Sequence, residues 1–175
     1  MQVHDIVSLH IDSVAFGGEG VGRIAGAVVF VRGGITGEDL AVKITEAKKN
    51  FFRGEIVEIR AASPDRIEPR CPYFHRCGGC QYLHLAYQAQ VTAKTLQVED
   101  ILKRMGGFRD VRVTACPADK PLYYRNKVKF NIDRIENRFT TGFIGINNID
   151  LVPIASCIIA DTAINAQIEA VRHDL

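Results

Sequence analysis

The chain has 175 residues, 47% of them hydrophobic and 24% charged, with a formal net charge of +2, which is ordinary for a soluble globular protein of one domain or two small ones. No apolar run reaches the length of a membrane span, and the start MQVHDIVSLH lacks the basic and apolar segments of a secretory leader, so a cytoplasmic location with no membrane partner is expected. The net charge is too small to diagnose a nucleic-acid partner by itself, but residues 120 to 138 alone hold six basic and two acidic side chains.

Residues 1 to 62 read as a small all-β unit. Apolar positions alternate at Val7, Leu9 and Ile11 and again at Leu40, Val42 and Ile44, the period of strands with one buried face. AVVFV (27 to 31) and GEIVEI (54 to 59) add β-branched runs, and FGGEGVG, RGG and TGED supply turns. Four or five short strands so closely spaced predict an OB-like barrel, because closure removes exposed edges. The glycine loop Phe16 to Arg23 is not a nucleotide-binding fingerprint, since the β-branched GAVVFV comes after it where a helix would have to begin. Its glycines are expected to turn one strand into the next.

AASPDRIEPR (61 to 70) is polar, aperiodic and carries two prolines, which places a linker there and a second, α+β domain over residues 63 to 175. LAYQAQVTAKTLQVEDILKRMGG has helical spacing, with Tyr87, Val91, Val98, Ile101, Leu102 and Met105 on one face and Gly106 and Gly107 as the stop. Short strand-like runs come next at VRVTAC, KVKFNID, FTTGFIG and IDLVPI. The final DTAINAQIEAVRHDL predicts a helix without a stop signal, as in a chain that extends further.

Three of the five cysteines fall within CPYFHRCGGC, residues 71 to 80. In a reducing compartment such clustering points to metal ligation rather than disulfides. Cys71, Cys77 and Cys80 lack only a fourth soft ligand, with Cys116 and Cys157 as candidates, and the asymmetric spacing is closer to iron–sulfur ligation than to a zinc ribbon. Gly78 and Gly79 would let backbone approach the site and aim N–H groups at its sulfurs. His75 and His84 are weaker ligand candidates. Tyr124, Arg125, Asn126, Lys127 and Lys129 combine cations, an amide and an aromatic ring in a strand-like stretch, a mixture that meets phosphate and unpaired bases in RNA. Lys48, Lys49 and Arg53 form a second basic cluster on the expected barrel.

Taken together, VAFGGEGVGRIAGAVVFVRGGITGED, SPDRIEPRCPYFHRCGGCQYLHLAYQAQVTAKTLQVEDILKRMGG, YYRNKVKF and TGFIGINNIDLVPIASC resemble the RNA uridine-5 methyltransferases of ribosomal and transfer RNA, in order and over nearly the whole chain. The resemblance implies a TRAM domain, an OB-like RNA-binding barrel, at residues 1 to 62. It further implies a [4Fe-4S] cluster held by Cys71, Cys77, Cys80 and Cys157, leaving Cys116 an ordinary thiol, and RNA contact by the basic segment at 124 to 127. In that family a cysteine thiolate adds to a flipped uracil, which then takes a methyl group from S-adenosylmethionine; the catalytic residues and cofactor loop lie in a Rossmann-like domain after the cluster domain. No residue here matches the catalytic motif. The resemblance therefore implies an RNA-recognition and cluster-bearing part that does not catalyse alone and lacks the S-adenosylmethionine-binding domain; a monomer is expected. A stand-alone RNA-binding module with a structural metal is the alternative reading, and a small iron–sulfur electron carrier a third.

Overall fold

The computed structural model of the protein describes residues 1–135 and 138–174. The apolar alternation read from the sequence builds the first sheet. Strands β1 (Ile6–His10), β2 (Ser13–Val14), β3 (Glu19–Ile24), β4 (Ala27–Arg32), β5 (Asp39–Ala47) and β6 (Phe51–Ala61) pair in the order β1-β5-β6-β4-β3-β2. All neighbours are antiparallel except β4 and β6. Leu9, Ile11, Val29, Val31, Leu40, Val42 and Ile44 converge in one core, each contributing about 1.5–3 kcal/mol through burial.

Three register shifts in the β5–β6 pairing bend the sheet, and it curls until β3 lies against β1. Close approach there requires glycine: a Cβ on Gly22 would stand 2.1 Å from the carbonyl oxygen of His10. The FGGEGVG stretch is therefore not a simple turn. Gly17 and Gly18, with φ of 97° and 86°, make the bend, whereas Gly20 and Gly22 are interior positions of β3.

The polar stretch after β6 is anchored by a buried carboxylate. Glu38 is fully buried and accepts hydrogen bonds from the backbone N–H groups of Ile35 and Ser63 and from the Arg66 guanidinium, through Nε to Oε1 at 2.5 Å and Nη2 to Oε2 at 2.7 Å. Arg66 Nη2 also donates to the Gly33 carbonyl at 2.6 Å. An aperiodic sequence thus becomes ordered chain through side-chain bonds, without secondary structure. Ile67 then donates to the carbonyl of His84, and Ala86 to that of Asp65.

Helix α1 (Tyr87–Arg104) ends as the paired glycines predict, with Gly107 at φ 71° and Phe108 N–H donating to the Leu102 carbonyl. Its expected apolar face is not buried: Val98, Ile101 and Met105 are exposed, and the buried position is Gln97, whose amide donates to the Val14 and Ala15 carbonyls at 2.9 Å. A polar anchor to the backbone carbonyls at and just after β2 takes the place that periodicity gave to aliphatic packing.

The compact units interleave along the chain. The first comprises Met1–Glu68 and His84–Cys116, the second Pro69–Leu83 and Pro117–Leu175. In the second, β7 (Asn131–Ile135), β8 (Arg138–Ile144) and β9 (Leu151–Pro153) form an antiparallel sheet in that order, and α2 (Thr162–Asp174) closes the chain. Val152, Ile154 and Ile168 make its small core, with Tyr73, Cys77, Phe143 and Cys157 packed against it. VRVTAC, expected as a strand, is irregular; Val113 N–H bonds the Glu99 carboxylate at 3.0 Å instead of a ladder partner.

Burial pushes the Glu38 carboxyl up, but the bonds from Arg66, Ile35 and Ser63, with the Arg66 charge, outweigh it and hold the group below 4.5. Stability from this pairing is therefore complete above the ordinary carboxylate range and is lost as pH falls through the lowered folded value. Glu38→Gln should lower stability at neutral pH by about 3 kcal/mol and flatten that acid limb; thermal unfolding followed by circular dichroism against pH checks both.

Candidate metal centre and basic segments

The cysteine loop is a run of tight turns. Phe74 N–H bonds the Cys71 carbonyl, and Arg76 and Cys77 N–H groups both bond the Tyr73 carbonyl. The loop then docks on the end of β8: Gly78 N–H donates to the Ile144 carbonyl at 3.0 Å, and Ile146 N–H to the Arg76 carbonyl at 2.9 Å. A Cβ on Gly78 would stand 3.0 Å from the carbonyl oxygens of both Ile144 and Gly145, so glycine serves contact with β8 here. Gly79 takes the role foreseen for the pair, its N–H donating to Cys77 Sγ at 3.4 Å.

Cys157 reaches the same place from another direction. The loop after β9 is held by Tyr73, whose hydroxyl accepts from Ala155 N–H at 3.0 Å, and by Asn165 on α2. Asn165 Oδ1 accepts from Cys157 N–H at 2.7 Å, and its amide donates to the carbonyls of Cys157 and Ala160. Neither Tyr73 nor Asn165 was among the sequence candidates; the only signal was an asparagine in the first turn of a helix close behind a cysteine, where its amide can hold a preceding loop.

Cys71, Cys77, Cys80 and Cys157 line one cavity of about 210 Å³, together with Arg125, Lys129, Phe143 and Ile154 among others. Cys116 is exposed and is not among the lining residues; neither are His75, which packs edge-on against Phe74, nor His84, buried in the first unit. Among the described residues no three His, Cys, Asp or Glu side chains are gathered as a seat for a single metal ion. The four cysteines thus share one cavity wall with apolar and basic neighbours. Burial, then the neighbouring Cys157, Cys71 and Cys77, push the Cys80 thiol up to about 11, with Arg125 acting the other way. Burial raises Cys71 as well, opposed by the Tyr73 N–H. With both raised, the Cys71 and Cys80 thiols hold their protons at neutral pH, so a metal entering here must displace them.

The basic segment is not a strand. Arg125 makes one isolated bridge to Ala160, and Tyr123 stands at φ 55°. Three backbone bonds join it to the chain just past Cys157: Tyr123 N–H to Ile158 O, Arg125 N–H to Ile159 O, and Asp161 N–H to Arg125 O, all 2.8–2.9 Å. Its side chains divide. Arg125 and Lys129 line the cysteine cavity, whereas Asn126 and Lys127 line a second groove with Phe130, Thr141 and Ile168. Tyr124 is exposed. In the first unit Lys48 pairs with Glu46 at 2.7 Å, Arg53 bridges Glu19 and Glu46, and Lys49 is exposed.

Residues 2–57 match the TRAM domain model. An uncharacterized RNA methyltransferase of Caldanaerobacter subterraneus subsp. tengcongensis is 37% identical over 173 residues, 99% of this chain and 38% of the relative. One from Bacillus cereus is 33% identical over 174 residues, with the same coverage. The structure of Pyrococcus abyssi tRNA (uracil-54, C5)-methyltransferase in complex with S-adenosyl-L-homocysteine is similar in fold, with a TM-score of 0.62 and 22% identity, over 94% of this chain and 36% of that one. The chain therefore carries a TRAM domain and is similar along nearly its whole length to proteins named as RNA methyltransferases, and it spans 38% of the length of these two relatives. Among the described residues no helix is long and apolar enough to cross a membrane.

In protein free of metal and kept reduced, exposed Cys116 should be alkylated by iodoacetamide at mildly alkaline pH at least about tenfold faster than Cys80, whose thiolate fraction is suppressed. Peptide mapping against time measures the ratio; equal rates would mean that the cavity is open to water.

Proposed function

We propose that this chain is the RNA-recognition and [4Fe-4S]-bearing part of an S-adenosylmethionine-dependent RNA (uracil-C5) methyltransferase acting on ribosomal or transfer RNA. One observation carries the reading: within a chain related along nearly its whole length to RNA methyltransferases, four cysteines from two segments surround one cavity, and the basic segment is bonded to the fourth cysteine's loop. The uracil specificity is supported by the name of the Pyrococcus abyssi protein of similar fold.

The donor set suits a cluster better than a single zinc. A tetrahedral zinc needs four sulfurs about 2.3 Å from one point, whereas the four cysteines line, with other residues, a cavity of about 210 Å³. Four cysteine thiolates are the ordinary ligands of a [4Fe-4S] cluster. Cys71, Cys77, Cys80 and Cys157 would hold it, Gly79 N–H would bond a ligand sulfur, and Arg125 and Lys129 would balance its negative charge. When bound, the cluster supplies iron–sulfur bonds that fasten residues 71–80 to the Cys157 loop.

The chain's own residues then position RNA. Lys127 and Asn126, which line the groove apart from the cysteines, meet phosphate and base edges, and Tyr124 offers a ring for stacking. On the first unit Lys48, Lys49 and Arg53 supply a further basic cluster. Methyl transfer needs a nucleophilic cysteine and a base. With four thiols committed to the cavity and Cys116 in an irregular exposed stretch, we place that chemistry in a part of the methyltransferase outside these residues.

Cys77→Ser should abolish the iron-dependent brown absorbance and lower the melting of the second unit, while the first unit keeps its own transition; undiminished iron would remove Cys77 from the ligand set. Lys127→Ala should weaken binding of single-stranded RNA and reduce the salt dependence by about one counterion. Measured by fluorescence anisotropy at several salt concentrations, an unchanged slope would move the contact elsewhere. Methyl transfer to uridine by the purified 175-residue chain would contradict the placement of catalysis.

A further inference from the structure

One face of the sheet carries a cluster that the barrel core does not use. In β4, Val29 and Val31 point into the core, so Phe30 and Arg32 point outward. The register sets Phe30 opposite Val21 of β3 and Arg53 of β6, Val28 opposite Arg23 and Phe51, and Arg32 opposite Glu19. Phe30, Phe51, Arg53, Arg23 and Arg32 therefore share one outer surface. The two rings meet edge to face with centroids 5.6 Å apart at 84°, and the Arg53 guanidinium carbon lies 5.7 Å from each. Glu19 and Glu46 bond Arg53 and fix its plane. Both rings remain partly open to solvent, and Arg23, Arg32 and Lys49 are exposed and, among the described residues, outside every ion pair.

A purely structural aromatic cluster would have no need of unpaired cations around it. Phosphate-bearing, unpaired nucleic acid needs both parts: a flat apolar and guanidinium surface for a base, and cations spaced along the strand for the backbone. We infer that the β3–β4–β6 face is a single-base stacking site for unpaired RNA, with one base on the Phe30–Phe51–Arg53 triad and the flanking phosphates met by Arg23, Arg32 and Lys49. The inference rests on the RNA-binding function proposed for the chain and gives the basic cluster of its first unit a base-stacking surface and two further cations, Arg23 and Arg32. Arg53 acts here as an orienting plane, since its charge is already met by two carboxylates.

The chain contains no tryptophan, so Phe51→Trp introduces a lone indole reporter at the site. Full-chain protein is titrated with a labelled single-stranded RNA and with an abasic RNA of equal length. Phe51→Leu keeps the apolar bulk, and an unchanged thermal midpoint certifies its fold. It should bind the base-bearing RNA about 5- to 100-fold more weakly than the native chain, leave abasic RNA binding unchanged, and the indole of the Phe51→Trp variant should be quenched as RNA is added. Arg23→Ala with Arg32→Ala should lower the salt slope for both RNAs by about two. Native and Phe51→Leu chains binding base-bearing RNA equally, with no indole quenching, would overturn the stacking site while leaving the RNA reading intact. Failure of the native chain to bind either RNA would overturn that reading and this site with it.

Discussion

The second unit is organised by one close backbone approach, that of residues 76–78 to the end of β8. Gly78 and Ile146 N–H groups close it from opposite sides, and a side chain on Gly78 would press on two carbonyl oxygens at once. The chemistry of the unit depends on that contact. It seats Cys77 against the same small core that carries Cys157, and it allows thiols from positions 71 to 80 to share a cavity with one nearly eighty residues later. Among the described residues its central cluster is slight, formed by Val152, Ile154 and Ile168. A unit so thinly packed gains much from any group that bridges its loops.

The first unit solves a different problem by comparable means. Its sheet is well filled with aliphatic side chains, and the order of the chain beyond the sheet depends on polar groups buried with partners. Glu38 and Arg66 hold the residues after β6, and Gln97 holds α1. Such groups are costly to bury alone and specific when paired. They fix where residues 63–67 and α1 lie without a periodic signal.

That distinction separates what was legible in the sequence from what was not. Strands with a buried face repeat every second residue, so β1 and β5 could be read directly, β4 and β6 showed as β-branched runs, and the Gly106-Gly107 stop of α1 could be read from its chemistry. β3 was hidden because its interior positions are glycines, selected for closeness to β1 rather than for apolar bulk. The α1 face failed because a glutamine, not a leucine, is the buried contact. The candidate ligand set came from spacing and family resemblance, and the four cysteines do lie around one cavity. What spacing could not give was the company they keep. Arg125 and Lys129, read as RNA contacts, line the cavity, whereas Asn126 and Lys127 line a groove apart from it. The division is a property of a short segment tied to the Cys157 loop by three hydrogen bonds, and no local sequence pattern encodes those partners.

The same three bonds give the basic segment and the cysteine cavity a common frame, so that order in one is order in the other. A [4Fe-4S] cluster held as proposed would be a structural fastener whose effect reaches Asn126 and Lys127 through backbone. The most direct test is elemental: protein purified without oxygen, with iron, acid-labile sulfide and zinc counted per chain. The account predicts four irons and four sulfides, and no zinc. A single zinc with no sulfide would contradict it.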